Sequence, residues 1–199
     1  MGHQGRKRLS VISSTRYQLC VVAHDLGELV DLAGGWMCDR TLAGWDVSVA
    51  LSEPHDPRPL QILGVTSLVT HQRFVSINDG GATASIAVAP GIFENSAHIR
   101  GEVLQALDQG SIEVTFWGPS IPSDLHGQLD RRQHRLSGAA RAFKAHALAA
   151  AAIPGDTINA TENLYSTARW YDASSRGPDN HQREEPDVRA VMPRNERHS

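Results

Sequence analysis

Cysteine is scarce: the 199-residue chain holds only Cys20 and Cys38. That argues against a disulfide framework and fits a reducing cytoplasm, with both thiols acting as small buried apolar side chains. No apolar run reaches the roughly 18–20 residues that a bilayer-spanning helix needs. The basic N-terminal residues are followed by no apolar core with a cleavage site, so no signal peptide is expected. An excess of one charge is also lacking, with 19 Lys and Arg against 22 Asp and Glu and a net charge of −3. This gives no electrostatic footprint for nucleic acid or an anionic membrane. The strong chemical signatures are absent as well. There is no phosphate loop of the form GxxxxGK[ST], no GxGxxG after the first strand, no GxSxG elbow, no HExxH and no CxxC.

The clearest feature present is the stretch 19–51. Residues 19–23 (LCVVA) form a short unbroken apolar run, as in a strand buried on both faces. His24 and Asp25 end it. Asp25 is placed to cap a helix, with Glu28 in the capping-box position. Leu26, Leu29, Val30, Ala33, Trp36 and Met37 then recur at helical spacing. Gly44 suits the left-handed stop of that helix, and residues 46–51 (DVSVAL) read as a second strand. Strand, helix and strand make a right-handed βαβ unit with parallel strands. Gly34 and Gly35 lie inside the helix, where close packing on a neighbour is the expected reason for them.

The residues Gly34, Gly35, Trp36, Asp39, Arg40, Ala43, Gly44, Trp45, Asp46 and Val47 form a GGWxxDRxxAGWDV stretch. It resembles an uncharacterised group of actinobacterial α/β proteins. The resemblance implies no activity and transfers no catalytic residue.

Further along, the prolines at 54, 57 and 59 make a loop. Residues 60–65 are expected to form a third strand of uncertain direction, and 78–81 (NDGG) a turn. Residues 85–89 read as a strand, Ser96 as the cap of a helix bearing Ile99, Val103, Leu104 and Leu107, and 111–117 as another strand. A long helix is expected from 123 or 124 to about 152, and a further helix within 157–171. His126, Asp130 and His134 would then lie on one helical face as an exposed polar stripe rather than a metal site.

These readings give one three-layer α/β domain at 15–171, with a mainly parallel sheet of four or five strands and helices on both faces. A flexible N-terminus at 1–14 and a disordered tail at 172–199 flank it. In such sheets ligands bind at the carboxyl ends of the strands, near a switch in strand order. That rule selects His24, Asp25, Glu53, Glu94 and Ser120 as candidate ligand-binding residues. No catalytic residue, metal site or cofactor can be assigned from the sequence.

Because no nucleophile–base or metal constellation is visible, the expected function is a non-catalytic cytoplasmic module, regulatory or protein-binding. The alternative is a small-molecule or nucleotide-binding enzyme working at the strand ends. A second alternative is nucleic-acid binding through the basic N-terminus and the Arg131–Arg141 region, which the acidic net charge disfavours. A protein partner or a small-molecule ligand is therefore possible, and a membrane partner is not expected.

Overall fold

The computed structural model describes residues 16–69, 83–110, 112–154 and 157–167. The segments expected to be flexible at 1–14 and disordered at 172–199 lie outside these residues, as does the expected turn at 78–81.

The first βαβ unit forms as the sequence implies. Gln18–Ala23 is strand β1, Leu26–Leu42 is helix α1 and Asp46–Leu51 is strand β2. β1 and β2 pair in parallel, from Gln18 opposite Asp46 to Ala23 opposite Leu51. Asp25 starts α1 by accepting the Glu28 N–H on its carboxylate at 2.7 Å, which satisfies a donor that the helix leaves open. At the other end Gly44 takes φ 89°, a conformation that costs Gly nothing.

The next segment departs from expectation. Residues 60–65 are not a strand: helix α2 spans Arg58–Ile62, and strand β3 follows at Thr66–Val69. A short apolar run cannot by itself distinguish strand from helix. Here Pro59 sits in the first turn of α2, where its missing N–H costs nothing. Leu60 and Leu63 are buried beneath that turn. β3 pairs in parallel with β2.

Strand β4 (Thr83–Val88), helix α3 (Pro90–Asn95), helix α4 (Ala97–Gln109) and strand β5 (Glu113–Trp117) repeat the strand–helix–strand order. Ser96 caps α4, and Gly110 ends it at φ 60°.

The expected long helix at 123–152 is instead three elements: a 3-10 turn at Ser123–Leu125, strand β6 at Asp130–Arg135 and helix α5 at Gly138–Ala150. Leu125, Leu129 and Leu136 imitate a helical stripe, but Gly127 turns the chain at φ 83°. Ser137 begins a new helix by accepting the Ala140 N–H at 3.0 Å. His126, Asp130 and His134 therefore share no helical face. The helix expected within 157–171 is likewise a strand, β7 at Thr161–Ser166. Its buried positions Glu162, Leu164 and Ser166 alternate, the period of a strand rather than of a helix.

Among the described residues the sheet has seven strands in the order β3-β2-β1-β4-β5-β7-β6. The first five run parallel, β7 pairs antiparallel with β5, and β6 pairs antiparallel with β7. The expectation of four or five mainly parallel strands is thus corrected to a larger mixed sheet. The added hairpin was hidden because β6 (DRRQHR) is an almost wholly polar strand at the end of the order, where charge discourages pairing with other chains.

Helices cover both faces. On one, α3 and α4 bring Phe93, Ile99, Val103 and Ala106 against Val22, Ile86, Val88, Val114 and Phe116 of the sheet. On the other, α5 packs against both α1 and α2. The strand order reverses between β1 and β4. The chain runs outward through β2 and β3 on one side and through β5 on the other, which leaves a crevice at the carboxyl ends of β1 and β4.

Candidate functional site

A cavity of about 400 Å³ occupies that crevice. His24 follows β1, Ser52 follows β2, and Ala89 and Gly91 follow β4, so three neighbouring strand ends converge on it. Glu28 joins them from the first turn of α1. Ala89, Ile92 and Ile99 supply an apolar wall, while Asn95 at the end of α3 and Ser96, the cap of α4, add polar groups. His24, Glu28 and Ser52 are exposed to solvent, whereas Ala89 and Ile99 are buried beneath. The arrangement offers one imidazole and one carboxylate beside an apolar surface, enough to hold a small ligand and to move a proton.

The Asn95 side chain donates to the carbonyl of Gly91 at 2.7 Å, which fixes the α3 turn. Ser96 Oγ accepts the Ile99 N–H at 3.4 Å as the cap of α4. Glu28 also lines a second cleft, of about 610 Å³, together with Asp25, Asp31, Asp56 and Pro59 and with residues 150–153 at the end of α5. Gly27 belongs to the floor of this cleft because Ile153 packs onto it. A Cβ there would meet Ile153 Cδ1 at 2.6 Å.

The candidates named from the sequence separate on the structure. His24 lines the strand-end cavity. Asp25 lines the neighbouring cleft, its carboxylate held by the Glu28 N–H. Glu53 is exposed and lines neither; its carbonyl oxygen meets His55 Nδ1 at 3.0 Å. His55 Nε2 reaches Ser67 Oγ at 2.7 Å, tying the Pro-rich loop to β3. Glu94 and Ser120 are exposed as well, and the carbonyl of Glu94 accepts from Arg100 at 2.8 Å. Four polar members of the cavity, Glu28, Ser52, Asn95 and Ser96, are not among these candidates. From the sequence Glu28 reads only as a capping residue, although a carboxylate four positions after a strand-end histidine falls on the same helix start. Asn95 carried no signal at all.

The sequence also left unseen a buried polar knot behind α1. Glu162 on β7 and Lys144 on α5 are 4% and 2% exposed, and Lys144 Nζ donates to Glu162 Oε1 at 2.7 Å. The same carboxylate accepts the N–H of Gly35 at 2.9 Å and of Trp36 at 2.7 Å. Lys144 also donates to the carbonyl of Asp31. Burial pushes the Glu162 carboxyl above its ordinary range, against the pull of Lys144 and the two N–H donors. The Cys38 thiol beside it is pushed up to about 11, first by burial and then by the charges of Asp39 and Glu162, so it is an inert thiol. Nearby, Asp39 Oδ2 meets His134 Nε2 at 2.8 Å and accepts the Ser137 N–H at 3.1 Å.

No protein-family model and no curated protein matches this sequence. Solved structures do share the fold. One is the A40926 pseudoaglycone deacetylase Dbv21, with a TM-score of 0.53 and 12% identity over 76% of this chain and 97% of that one. A second is a teicoplanin-pathway deacetylase bound to bog, with a TM-score of 0.52 and 13% identity over 75% of this chain and 97% of that one. A third is the zinc-inhibited form of the teicoplanin deacetylase Orf2, with a TM-score of 0.50 and 11% identity over 75% and 97%. This chain therefore has an α/β fold that these enzymes use. The expectation of a non-catalytic regulatory or protein-interaction module is overturned by these likenesses, which favour the enzyme alternative. Among the described residues no helix is long and apolar enough to cross a membrane.

Proposed function

We propose that the chain is a small-molecule enzyme that removes an acyl group by hydrolysis, working in the cavity at the carboxyl ends of β1, β2 and β4. The observation that carries this reading is the convergence of His24, Glu28 and Ser52 on one cavity at the switch in strand order. Fold alone does not assign an activity. The likeness to deacetylases supports the choice of acyl compounds as substrates. In this reading the acyl group rests on Ile92 and Ile99, and His24 serves as the proton-transfer group.

The test is thermal unfolding of the purified protein against a panel of acylated sugars, acyl esters and free fatty acids. A ligand present at about 100 times its dissociation constant stabilises the fold by about 2.7 kcal/mol. The expected result is a clear midpoint shift with an acyl compound, absent in His24→Ala, whose own unfolding midpoint matches the parent. A shift that survives in His24→Ala, or no shift across the panel, would count against the reading.

A further inference from the structure

The donor set of the strand-end cavity leads to a narrower conclusion, which rests on the acyl-hydrolysis reading above. One protein of this fold is described as a zinc-inhibited form, so the fit of the present residues to a metal bears on the chemistry. A catalytic zinc takes three protein ligands drawn from His, Asp, Glu and Cys and keeps a fourth position open. The cavity offers one imidazole, His24, and one carboxylate, Glu28; its other polar side chains, Ser52, Asn95 and Ser96, are neutral. Asp25, next to His24 in sequence, is turned into α1, where it accepts the Glu28 N–H at 2.7 Å. Asn95 is committed to the Gly91 carbonyl through its amide nitrogen. Among the described residues no group of three His, Cys, Asp or Glu side chains comes together to hold a metal. The described residues do not fit a zinc site.

We propose that this cavity hydrolyses acyl esters without a resident metal, with His24 as the general base. The imidazole takes a proton from a water molecule as the water oxygen bonds to the acyl carbon. The carbon–oxygen bond to the leaving alcohol then breaks, and the departing oxygen takes the proton back from the imidazolium. The products are a carboxylic acid and an alcohol, and the imidazole is regenerated. Glu28 lines the same cavity wall, where its carboxylate can accept a hydrogen bond from the attacking water. A general base contributes on the order of 10²–10⁴-fold. A Lewis acid would add polarisation of the carbonyl, and without one the substrate must carry a good leaving group. That selects esters over amides.

The experiment has two arms on the purified full chain. In the first, zinc chloride is titrated calorimetrically into the parent and into His24→Ala. In the second, hydrolysis of p-nitrophenyl acetate and of p-nitroacetanilide is followed with and without EDTA in the parent, His24→Ala and Glu28→Gln. The expected result is no saturable zinc binding at micromolar concentration. Ester hydrolysis should be unchanged by EDTA and lowered about 10²-fold or more in His24→Ala, with a smaller loss in Glu28→Gln and no anilide turnover. One-to-one zinc binding at micromolar affinity that His24→Ala abolishes would overturn the metal-free assignment, as would ester hydrolysis that EDTA removes. Ester hydrolysis unaffected by His24→Ala would overturn the role of His24. No ester turnover, together with no thermal shift by any acyl compound, would overturn the acyl-hydrolysis reading itself, whatever zinc does.

Discussion

Helix α1 carries two polar regions with opposite designs. At its first turn, Glu28 shares an open cavity with the neighbouring strand-end residue His24, and both side chains face solvent. Along its middle, Asp31, Gly35 and Trp36 offer backbone groups to Lys144 and Glu162, which are shut away from water. Solvation accounts for the difference. A buried charge persists only when its partners replace water, so Glu162 takes three donors, whereas Glu28 keeps water to itself. One region gives rigidity and the other gives access. The two are joined along α1 itself, and just beyond α5 Ile153 packs onto Gly27 in the first turn of α1.

The largest effect is expected from breaking the buried pair. Glu162→Ala removes the carboxylate partner of buried Lys144, and it strips Gly35 and Trp36 of their side-chain acceptor. Loss of one partner of a buried pair typically costs about 3–5 kcal/mol. Urea unfolding should show a loss of that size. A loss below about 1 kcal/mol, the scale of an exposed pair, would mean that the knot is open to water and that the contrast drawn above is mistaken.

A smaller but sharper effect follows at Gly35. A Cβ there would lie 2.5 Å from both methyl carbons of Leu136 and 3.1 Å from Glu162 Oε1. Gly→Ala in a helix interior would otherwise add about 1 kcal/mol of stability. Gly35→Ala should instead destabilise, since overpacking costs about 1–3 kcal/mol. Gly34 is the internal control: its Cβ would meet nothing closer than 3.5 Å, so Gly34→Ala should be neutral or stabilising. Equal effects at the two glycines would show that the close approach of Leu136 and β7 to α1 is not a constraint.

How much of this the sequence displays depends on the chemistry of each region. The unit from β1 to β2 is legible because burial on both faces leaves continuous apolar strands, and because Asp25 and Gly44 punctuate the helix with backbone-specific roles. The strand-end rule likewise reaches His24. The β6–β7 hairpin is illegible for the opposite reason. β6 is polar throughout, and the buried charge of Glu162 interrupts the apolar alternation of β7 that would announce a strand. Its partner Lys144 lies 18 positions away, and Gly35 and Trp36 lie more than 120 positions away. No local pattern encodes such a pairing. The glycine pair implies close packing, which holds at Gly35, but only the fold shows that Leu136 and the Glu162 carboxylate are what come close. Glu53, Glu94 and Ser120 were chosen by the same rule as His24. Glu53 and Ser120 sit in loops and Glu94 in the short helix α3, and the path of these segments decides which side chains reach the crevice.

The smallest stability effect is expected at Asp25, which stands between the two regions. Its carboxylate caps α1 and lines the cleft next to the cavity. Asp25→Ala removes one N-cap hydrogen bond, a loss of about 1 kcal/mol, whereas Asp25→Asn keeps an acceptor oxygen and should cost less. Thermal unfolding of the two variants checks the ranking. Ligand binding discriminates further. If Asp25 acts only by holding the first turn, an acyl compound should bind Asp25→Asn as it binds the parent and should bind Asp25→Ala weakly, because the frayed turn no longer fixes Glu28. Equal weakening in both variants would mean that the negative charge itself acts on the ligand. In that case the larger cleft would be part of the site, and the boundary drawn at Glu28 between cavity and scaffold would move one residue-layer deeper, to include Asp25.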